Sequence, residues 1–298
     1  MSSKNIFITG SSGFIGLNIM KYLSHLYTFS RFKRGDKITL DHDIFLHLAG
    51  KAHDFKKSNS FNEYFIVNTE LTIKVYKAFL ESNAKIFITL SSVKAVADEV
   101  KGILFEDILP NPITYYGKSK LLAEQFIISN SIPEGKRVYV LRPCMVHGPG
   151  NKGNLNILYK FVSKGIPWPL GSFANSRSYL SIENLCFIVQ ELLEREDIPS
   201  GIYNVADDVP LSTNQLIHMI ADSKGIKAKI WNINLTLIKG LSLLGDFLNL
   251  PLNSERLQKL TESYIVSNAK IIAAIGKPLP VSSKDGLMQT FQSFAVNA

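Results

Sequence analysis

The stretch Asn5-Ile6-Phe7-Ile8-Thr9-Gly10-Ser11-Ser12-Gly13-Phe14-Ile15-Gly16 decides the fold. An apolar strand pattern runs directly into a glycine-rich turn, and an amphipathic helix pattern follows the turn. Glycines in such a turn allow a tight bend, a close approach of backbone amides to phosphate and close helix packing. The N-terminus of the following helix attracts anions, because its first N–H groups are unpaired and its dipole is positive there. The pattern predicts a nucleotide site, with a purely structural turn as the alternative; its expected contacts are Gly10, Ser12, Gly13, Phe14, Ile15 and Gly16.

Strand and helix patterns alternate through the first half of the chain. The strand candidates are residues 5–9, 44–48, 85–90 and 137–141, and the helix candidates are residues 14–27, 63–82 and 114–131. Short apolar strands separated by helices are typical of a doubly wound parallel sheet with helices on both faces. The sequence therefore predicts an α/β, Rossmann-type fold.

The pattern changes after Pro149, where Gly/Asn-rich and Pro/Gly-rich turns separate shorter elements. We expect residues 1–150 to form the cofactor-binding domain. Residues 151–298 are expected to form mainly a smaller substrate-binding lobe. Segments such as Gly201–Val205 are expected to return to the sheet.

The composition limits the class of protein. The chain has 298 residues, 46% of them hydrophobic, and 33 Lys+Arg against 25 Asp+Glu give a net charge of +8. This excess suits diphosphates or a membrane surface as well as nucleic acid, but no run of like charges indicates a nucleic-acid tail, so we expect no nucleic-acid partner. Cys144 and Cys186 are too few for a disulfide framework and show no metal-type spacing. The start of the sequence lacks an export pattern, and a cytoplasmic location is expected.

One later stretch is strongly apolar. Lys239 and Asp246 interrupt residues 233–250, so the sequence predicts no membrane-spanning segment there. A helical stripe is formed by Leu237, Leu241, Leu244 and Leu248. Stripes of this kind usually pack on a core, which is the expectation here; docking on a bilayer or on a lipid-linked substrate is the alternative.

The region after the second expected strand bears on the choice of cofactor. NAD sites usually carry an acidic residue there, which binds the ribose 2′-hydroxyl, whereas a basic residue accommodates the 2′-phosphate of NADP. Residues 27–34 read Tyr-Thr-Phe-Ser-Arg-Phe-Lys-Arg, and no carboxylate follows until Asp36. This favours NADP(H), with Ser30 and Arg31 as contacts, while NAD stays possible and a solvated basic loop is the alternative interpretation.

A catalytic group is expected from Ser92, Tyr116 and Lys120. Tyr116 and Lys120 lie four residues apart, so on a helix they share one face. A neighbouring ammonium favours the ionised phenol, and we therefore expect Lys120 to lower the pKa of Tyr116. Ser91 and Ser92 follow an expected strand at the carboxyl edge of the sheet, where ligands of such folds bind. A serine there can hydrogen-bond a substrate oxygen that gains or loses charge.

Together these motifs resemble the extended short-chain dehydrogenase/reductases, specifically nucleotide-sugar epimerases, dehydratases and 4-keto reductases. The resemblance covers nearly the whole chain. It is carried by Thr9-Gly10-Ser11-Ser12-Gly13-Phe14-Ile15-Gly16, His47-Leu48-Ala49-Gly50-Lys51-Ala52-His53, Leu90-Ser91-Ser92, Tyr116-Gly117-Lys118-Ser119-Lys120, Arg142-Pro143 and His147-Gly148-Pro149-Gly150.

The resemblance implies roles for these residues. It makes Tyr116 the acid–base residue, Lys120 the residue that holds the nicotinamide ribose, and Ser92 the residue that positions the reacting oxygen. Further cofactor contacts implied are Leu48, Ala49, Gly50, Lys51, Asn68, Leu90, Ser91 and Pro143. Substrate contacts implied are Lys51, Ser92, Val93, Lys94, Asn154, Arg177 and Arg256, with a UDP-sugar as substrate and a homodimer as the usual assembly. The planar guanidinium groups of the two arginines also suit phosphate.

The sequence departs from the family pattern in two places. Before Asp43 the chain is short by most of one strand–helix unit, which removes the usual Asp near adenine and leaves Asp41 as a doubtful substitute. After Ser92 the family often has Tyr-Gly, and Val96-Ala97 occupies that place here.

Two reactions compete. The resemblance to the UDP-N-acetylhexosamine branch implies either NADPH-dependent reduction of a UDP-4-keto-6-deoxy-N-acetylhexosamine or 4-epimerisation with retained NAD, on a UDP-sugar or a polyprenyl-diphosphate-linked sugar. The basic loop at Arg31 favours the reductase. Val93-Lys94 replaces the Asp-Glu pair common in dehydratases. A nucleotide sensor without turnover is the remaining alternative, against which the presence of Ser92, Tyr116 and Lys120 argues.

Overall fold

The computed structural model describes residues 3–52, 61–248 and 253–296, without the side chains of residues 245, 248, 255, 256, 259 and 296. Two residues singled out in the sequence, His53 and the side chain of Arg256, therefore lie outside the described part.

The strands follow the predicted alternation with helices. They are β1 (Asn5–Thr9), β2 (Thr28–Arg31), β3 (Ile44–His47), β4 (Ile86–Leu90), β5 (Ile103–Leu104), β6 (Arg137–Pro143), β7 (Met145–His147), β8 (Tyr179–Ser181), β9 (Gly201–Val205) and β10 (Ile265–Val266). The helices are α1 (Phe14–Leu23), α2 (Phe61–Tyr64), α3 (Leu71–Glu81), α4 (Tyr115–Ser129), α5 (Asn154–Ser163), α6 (Ile182–Glu194), α7 (Thr213–Ser223), α8 (Leu235–Leu248), α9 (Ser254–Thr261), α10 (Ala269–Ile275) and α11 (Ser283–Val296). A π-helix, Phe65–Glu70, joins α2 to α3.

Six parallel strands form the main sheet in the order β2-β1-β3-β4-β6-β9. From β1 the chain adds β2 on one side, and then adds β3 and the later strands on the other side. The order of the strands therefore reverses between β1 and β3. Ligands of such sheets bind at this reversal, beyond the carboxyl ends of the strands. The predicted Rossmann-type fold is confirmed. β2 is the edge strand, as a chain lacking one strand–helix unit requires.

Alternate residues of each central strand enter opposite cores. Ile6 and Ile8 of β1 pack in a cluster with α1 and α6, whereas Phe7 packs in a cluster with α3 and α4. Both faces of the sheet are buried, which explains why these strands read as continuous apolar runs. The sheet is thus held rigidly by helices on both sides, and the ends of its strands are fixed.

A separate apolar cluster lies in the second half of the chain. Leu155 of α5, Leu216 of α7 and Phe291 of α11 are among its buried members. β9 pairs in parallel with β6 and so returns to the main sheet, as expected from residues 201–205. The second half therefore supplies both the last strand of the sheet and a smaller lobe with its own core.

The expected core packing of the leucine stripe on α8 is wrong. Leu237, Leu241 and Leu244 are exposed, and the side chain of Leu248 lies outside the described residues. The buried residues of this helix are Ile238 and Ser242, which occupy a different face. Helical periodicity identifies an apolar face but does not say whether that face meets a core.

Candidate active site

The glycine turn adopts the geometry expected of a phosphate site. Gly10 has a φ of +71°, and a Cβ on it would lie 2.7 Å from the Ala49 nitrogen. A Cβ on Gly16 would collide with the Gly10 carbonyl oxygen, so α1 reaches the turn only because this residue is glycine. The N-cap of α1 is Gly13, which has no side chain to bond the N–H groups of the first helical turn. That turn also carries no acidic residue. Its backbone N–H groups therefore remain suited to an anion.

Asn68 ties the loop after β3 to α4. Its Oδ1 accepts from the Lys51 backbone N–H at 2.7 Å, and its Nδ2 donates to Lys51 O at 3.0 Å and to Ser119 Oγ at 2.9 Å. It lies in the π-helix, a geometry often found at functional sites because the extra residue redirects a side chain. The buried amide fixes the Gly50 backbone beside Lys120, whose Nζ lies 3.0 Å from the position of a Cβ on Gly50.

Ser92 and Tyr116 meet because two helical starts pack together. Ser92 caps the turn Val93–Ala95, accepting from Lys94 N at 3.2 Å, and Thr114 caps α4, accepting from Gly117 N at 3.1 Å. A Cβ on Gly117 would collide with the Lys94 carbonyl oxygen, so glycine permits this contact. The Ser92 side chain consequently lies close enough to Tyr116 to lower the pKa of its phenol.

Lys120 is buried one helical turn beyond Tyr116. Its Nζ donates to Leu90 O, at the end of β4, over 2.8 Å. Burial lowers the pKa of Lys120 to about 8, opposed by the nearby charge of Glu124. The ammonium is therefore held at the carboxyl edge of the sheet and titrates near neutral pH.

The expected lowering of the Tyr116 pKa by Lys120 is wrong for this arrangement. Burial raises the pKa of Tyr116, which outweighs the opposing effect of the Ser92 side chain. Lys120 does not offset this because its Nζ donates to the Leu90 carbonyl. Tyr116 is thus a neutral proton donor at neutral pH.

A buried ion pair lies behind Lys120. The Arg142 guanidinium donates to the Glu124 carboxylate, with Nε–Oε1 3.0 Å and Nη2–Oε2 2.6 Å. Both side chains are almost fully buried, and Nη1 of Arg142 has no hydrogen-bond partner among the described residues. Since Glu124 raises the pKa of Lys120, this pair helps to keep the lysine charged.

His47 organises the ends of β1 and β3. Its ring nitrogens bond Thr9 Oγ1 at 2.7 Å and Thr72 Oγ1 at 2.9 Å, and Thr9 Oγ1 also accepts from Ala49 N. Burial, with a smaller contribution from Lys120, lowers the pKa of His47 to about 3, so the ring is neutral. Sequence reasoning missed His47, Glu124 and Arg142 as supports of the site. For His47 and Arg142 the available signal is a polar residue at or near the end of an otherwise apolar strand, whereas Glu124 lies on α4 and gives no such signal.

The end of β2 offers a basic group and no free carboxylate. Arg31 is exposed at the last position of the strand, while Ser30 bonds the side chain of Asn5. Asp36 accepts from the Lys33 backbone N–H at 2.8 Å, and Asp43 accepts from the Asn5 backbone N–H at 2.7 Å. Asp36 and Asp43 are thus engaged with the backbone, whereas the side chain of Asp41 is 86% exposed beside His42.

The other expected cofactor contacts lie at strand ends of the main sheet. After β3 come Leu48, Ala49, Gly50 and Lys51. The last residue of β4 is Leu90 and the next is Ser91, and β6 ends at Pro143. Lys51 forms an ion pair with Glu63, and Ser91 Oγ is buried without a hydrogen-bond partner among the described residues. Residues 48–51 border the reversal of strand order between β1 and β3, whereas the ends of β4 and β6 lie further along the same edge of the sheet.

Some of the expected substrate contacts lie near Tyr264, and another, Asn154, lies apart from them at the start of α5. Lys94 Nζ lies 4.1 Å from the centroid of the Tyr264 ring and donates to Asp98 O at 2.6 Å. Arg177 pairs with Glu262 at 3.2 Å, and its charge, like that of Glu262, acts on the pKa of Lys94. Val93 is buried at the turn beside Ser92, and Asn154 begins α5 and is exposed.

A sequence model of the NAD dependent epimerase/dehydratase family matches residues 6–206. This range holds the glycine turn, Ser92, Tyr116 and Lys120. The chain belongs to this family, which includes NAD(P)-dependent epimerases and reductases of nucleotide sugars. The family resemblance predicted from the motifs is confirmed.

Curated relatives extend over the whole chain. A UDP-glucose 4-epimerase of Vibrio cholerae is 28% identical over 98% of this chain and 95% of its own length. The N-acetyl-alpha-D-glucosaminyl-diphospho-ditrans,octacis-undecaprenol 4-epimerase of Escherichia coli O157:H7 is 26% identical over 99% and 96%. A GDP-6-deoxy-D-mannose reductase of Pseudomonas aeruginosa is 25% identical over 76% and 83%.

Solved structures agree on the fold. RMD from Pseudomonas aeruginosa, complexed with NADPH, superposes with a TM-score of 0.75 at 21% identity, covering 99% of this chain and 100% of that one. UDP-glucuronic acid 4-epimerase from Bacillus cereus, in complex with NAD, superposes with a TM-score of 0.76 at 20% identity, covering 98% and 99%. At these identities the likeness establishes the fold.

Proposed function

We propose that this enzyme reduces the C4 keto group of a UDP-4-keto-6-deoxy-N-acetylhexosamine with NADPH. The single observation that carries the choice of reaction is the end of β2, where Arg31 is exposed and the first carboxylate that follows, Asp36, bonds the Lys33 backbone N–H. A 2′-phosphate beside Arg31 gains a charged hydrogen-bond donor. A ribose 2′-hydroxyl, by contrast, finds no acidic acceptor at this position.

Selectivity for NADPH fits a reductase, because a reductase consumes reduced cofactor at each turnover. NADPH, when bound, supplies the hydride. The turn from Gly10 to Gly16 holds the diphosphate at the start of α1, and Asn68 fixes the backbone at Gly50 where the cofactor passes. Lys120 holds the nicotinamide ribose, a role it can take by exchanging its bond to the Leu90 carbonyl.

The proton comes from Tyr116. A neutral phenol beside Ser92 is suited to protonate an oxygen that becomes negative as hydride arrives at C4. The Ser92 hydroxyl donates a second hydrogen bond to that oxygen and so positions it. Once Lys120 has exchanged its bond to Leu90 O, its ammonium is free to approach Tyr116 and stabilise the phenolate left there.

The sugar nucleotide binds towards the second lobe. Arg177 and Lys94 belong to one basic group there, and Asn154 lies at the start of α5. We propose these side chains, with Lys51, Val93 and Arg256, as contacts of the uridine diphosphate and the sugar. Charge-assisted bonds to a diphosphate are strong enough to outweigh the Arg177–Glu262 pair.

The test uses the purified full chain with UDP-4-keto-6-deoxy-N-acetylglucosamine and either NADPH or NADH, following the absorbance of reduced nicotinamide. We expect stoichiometric oxidation, faster with NADPH, and loss of nearly all turnover in Tyr116→Phe with retained cofactor binding. Tyr115→Phe, at the exposed neighbouring position, is the matched control and should keep its activity. Unchanged turnover in Tyr116→Phe would remove the catalytic assignment.

A second candidate is 4-epimerisation with retained NAD. The observation that favours it is that the two relatives matched over 98% and 99% of this chain are 4-epimerases, whereas the reductase is matched over 76%. Steady absorbance in the first assay, with interconversion of UDP-N-acetylglucosamine and UDP-N-acetylgalactosamine in a parallel one, would select the epimerase.

A further inference from the structure

Helix α8 presents apolar side chains to solvent. Ile238 and Ser242 are 3% and 2% exposed and define the side that contacts the protein. At 100° per residue, the opposite side carries Leu243 and Phe247, which are 64% and 83% exposed. Leu237, Leu241 and Leu244 widen the same exposed surface. We call these five residues the α8 face.

The helix is fixed in place. Asn234 caps it, accepting from Thr236 N at 2.8 Å, and Ser172 Oγ donates to Ile233 O at 2.7 Å just before it. The preceding segment is held to residues 168–171 by backbone bonds, including Trp231 N to Trp168 O at 2.8 Å. The apolar face is therefore a preformed surface on an anchored helix.

Lysine is the main charged residue of α8 and of the segment that leads into it. Residues 224–248 contain four lysines, Lys224, Lys227, Lys229 and Lys239, all exposed, against one carboxylate, Asp246. That carboxylate accepts from the Ser254 backbone N–H at 2.9 Å and lies off the apolar face. Trp231, at the start of this region, is also exposed.

We propose that the α8 face docks the protein on the surface of an anionic phospholipid bilayer. Leucine and phenylalanine on one side of a helix, lysines in the helix and in the segment before it, and a tryptophan near its start form the composition of an interfacial helix. Lysines close to an anionic surface add attraction that a neutral bilayer does not provide. In the part of the chain that the structure describes, no helix is long and apolar enough to cross a membrane, so the contact is with the surface.

The proposal is tested by sedimentation of the full chain with vesicles of phosphatidylcholine alone or mixed with phosphatidylglycerol. We expect binding to the mixed vesicles and a loss of at least about tenfold in Phe247→Glu. Leu109→Glu is the matched control, because Leu109 is 87% exposed on a different segment, and it should bind like the unaltered protein. Replacing Lys227 or Lys229 with Gln should weaken binding about fivefold each.

Three results would overturn the proposal. In the first, the unaltered protein binds neither kind of vesicle. In the second, Phe247→Glu and Leu109→Glu bind equally well. In the third, the protein does not bind vesicles but self-associates through Phe247 in sedimentation velocity. The last result would assign the face to a second copy of the chain. Turnover of a water-soluble sugar nucleotide is measured separately, so failure of docking is distinct from failure of the proposed reaction.

Discussion

Replacing Glu124 with Leu tests how much the buried ion pair next to Lys120 contributes to the stability of the fold. Glu124 and Arg142 are 1% and 2% exposed, and three hydrogen bonds join their side chains. The substitution leaves the guanidinium buried without its carboxylate. Breaking a buried pair from one side costs about 3–5 kcal/mol, because the remaining charge stays desolvated.

The magnitude is measurable by urea unfolding monitored by tryptophan fluorescence. With an m-value of about 3 kcal/mol/M, the expected loss moves the midpoint down by about 1–2 M. The double variant Glu124→Leu/Arg142→Met removes both charges and should unfold within about 1 kcal/mol of the unaltered protein, or later. A single variant that loses less than about 1 kcal/mol, or a double variant as unstable as the single one, would refute the reasoning.

Three further predictions follow from the site. Gly10→Ala forces a side chain into a φ of +71° and within 2.7 Å of the Ala49 nitrogen, so we expect a lower melting temperature and loss of NADPH binding by fluorescence titration. Arg31→Asp should raise the KM for NADPH at least about tenfold and lower that for NADH, since a carboxylate repels the 2′-phosphate and accepts from a 2′-hydroxyl; equal KM values would contradict it. Because the pKa of Lys120 is lowered to about 8 and the charged form is needed, kcat/KM should fall above that pH, and Lys120→Arg should abolish this basic limb.

The fold was predictable where the signal is local. The strand, glycine turn and helix at residues 5–23 form from adjacent residues, and alternating apolar strands require a sheet covered on both faces. Ser92 could be placed at the ligand-binding edge of the sheet because it follows a strand, and Tyr116 could be placed beside it only through the family resemblance. The sequence could not reveal the Glu124–Arg142 pair, since its members approach only after α4 packs on β6.

Two predictions failed for related reasons. The spacing of Tyr116 and Lys120 places them on one helix face but does not fix the direction of the lysine, which bonds Leu90 O. Burial of the phenol then decides its pKa. Likewise, the spacing of Leu237 and Leu241 defines a face of α8 without saying what that face contacts. The direction of a side chain, and the group that it contacts, depend on how the whole chain packs.

The most direct test of the proposed reaction is to supply NADPH deuterated at the transferable position of the nicotinamide, together with the UDP-4-keto-6-deoxy-N-acetylhexosamine. The product sugar is then analysed by mass spectrometry and proton NMR. The account predicts one deuterium at C4 of every product molecule, with none incorporated by Tyr116→Phe. A converted sugar without deuterium at C4 would contradict it.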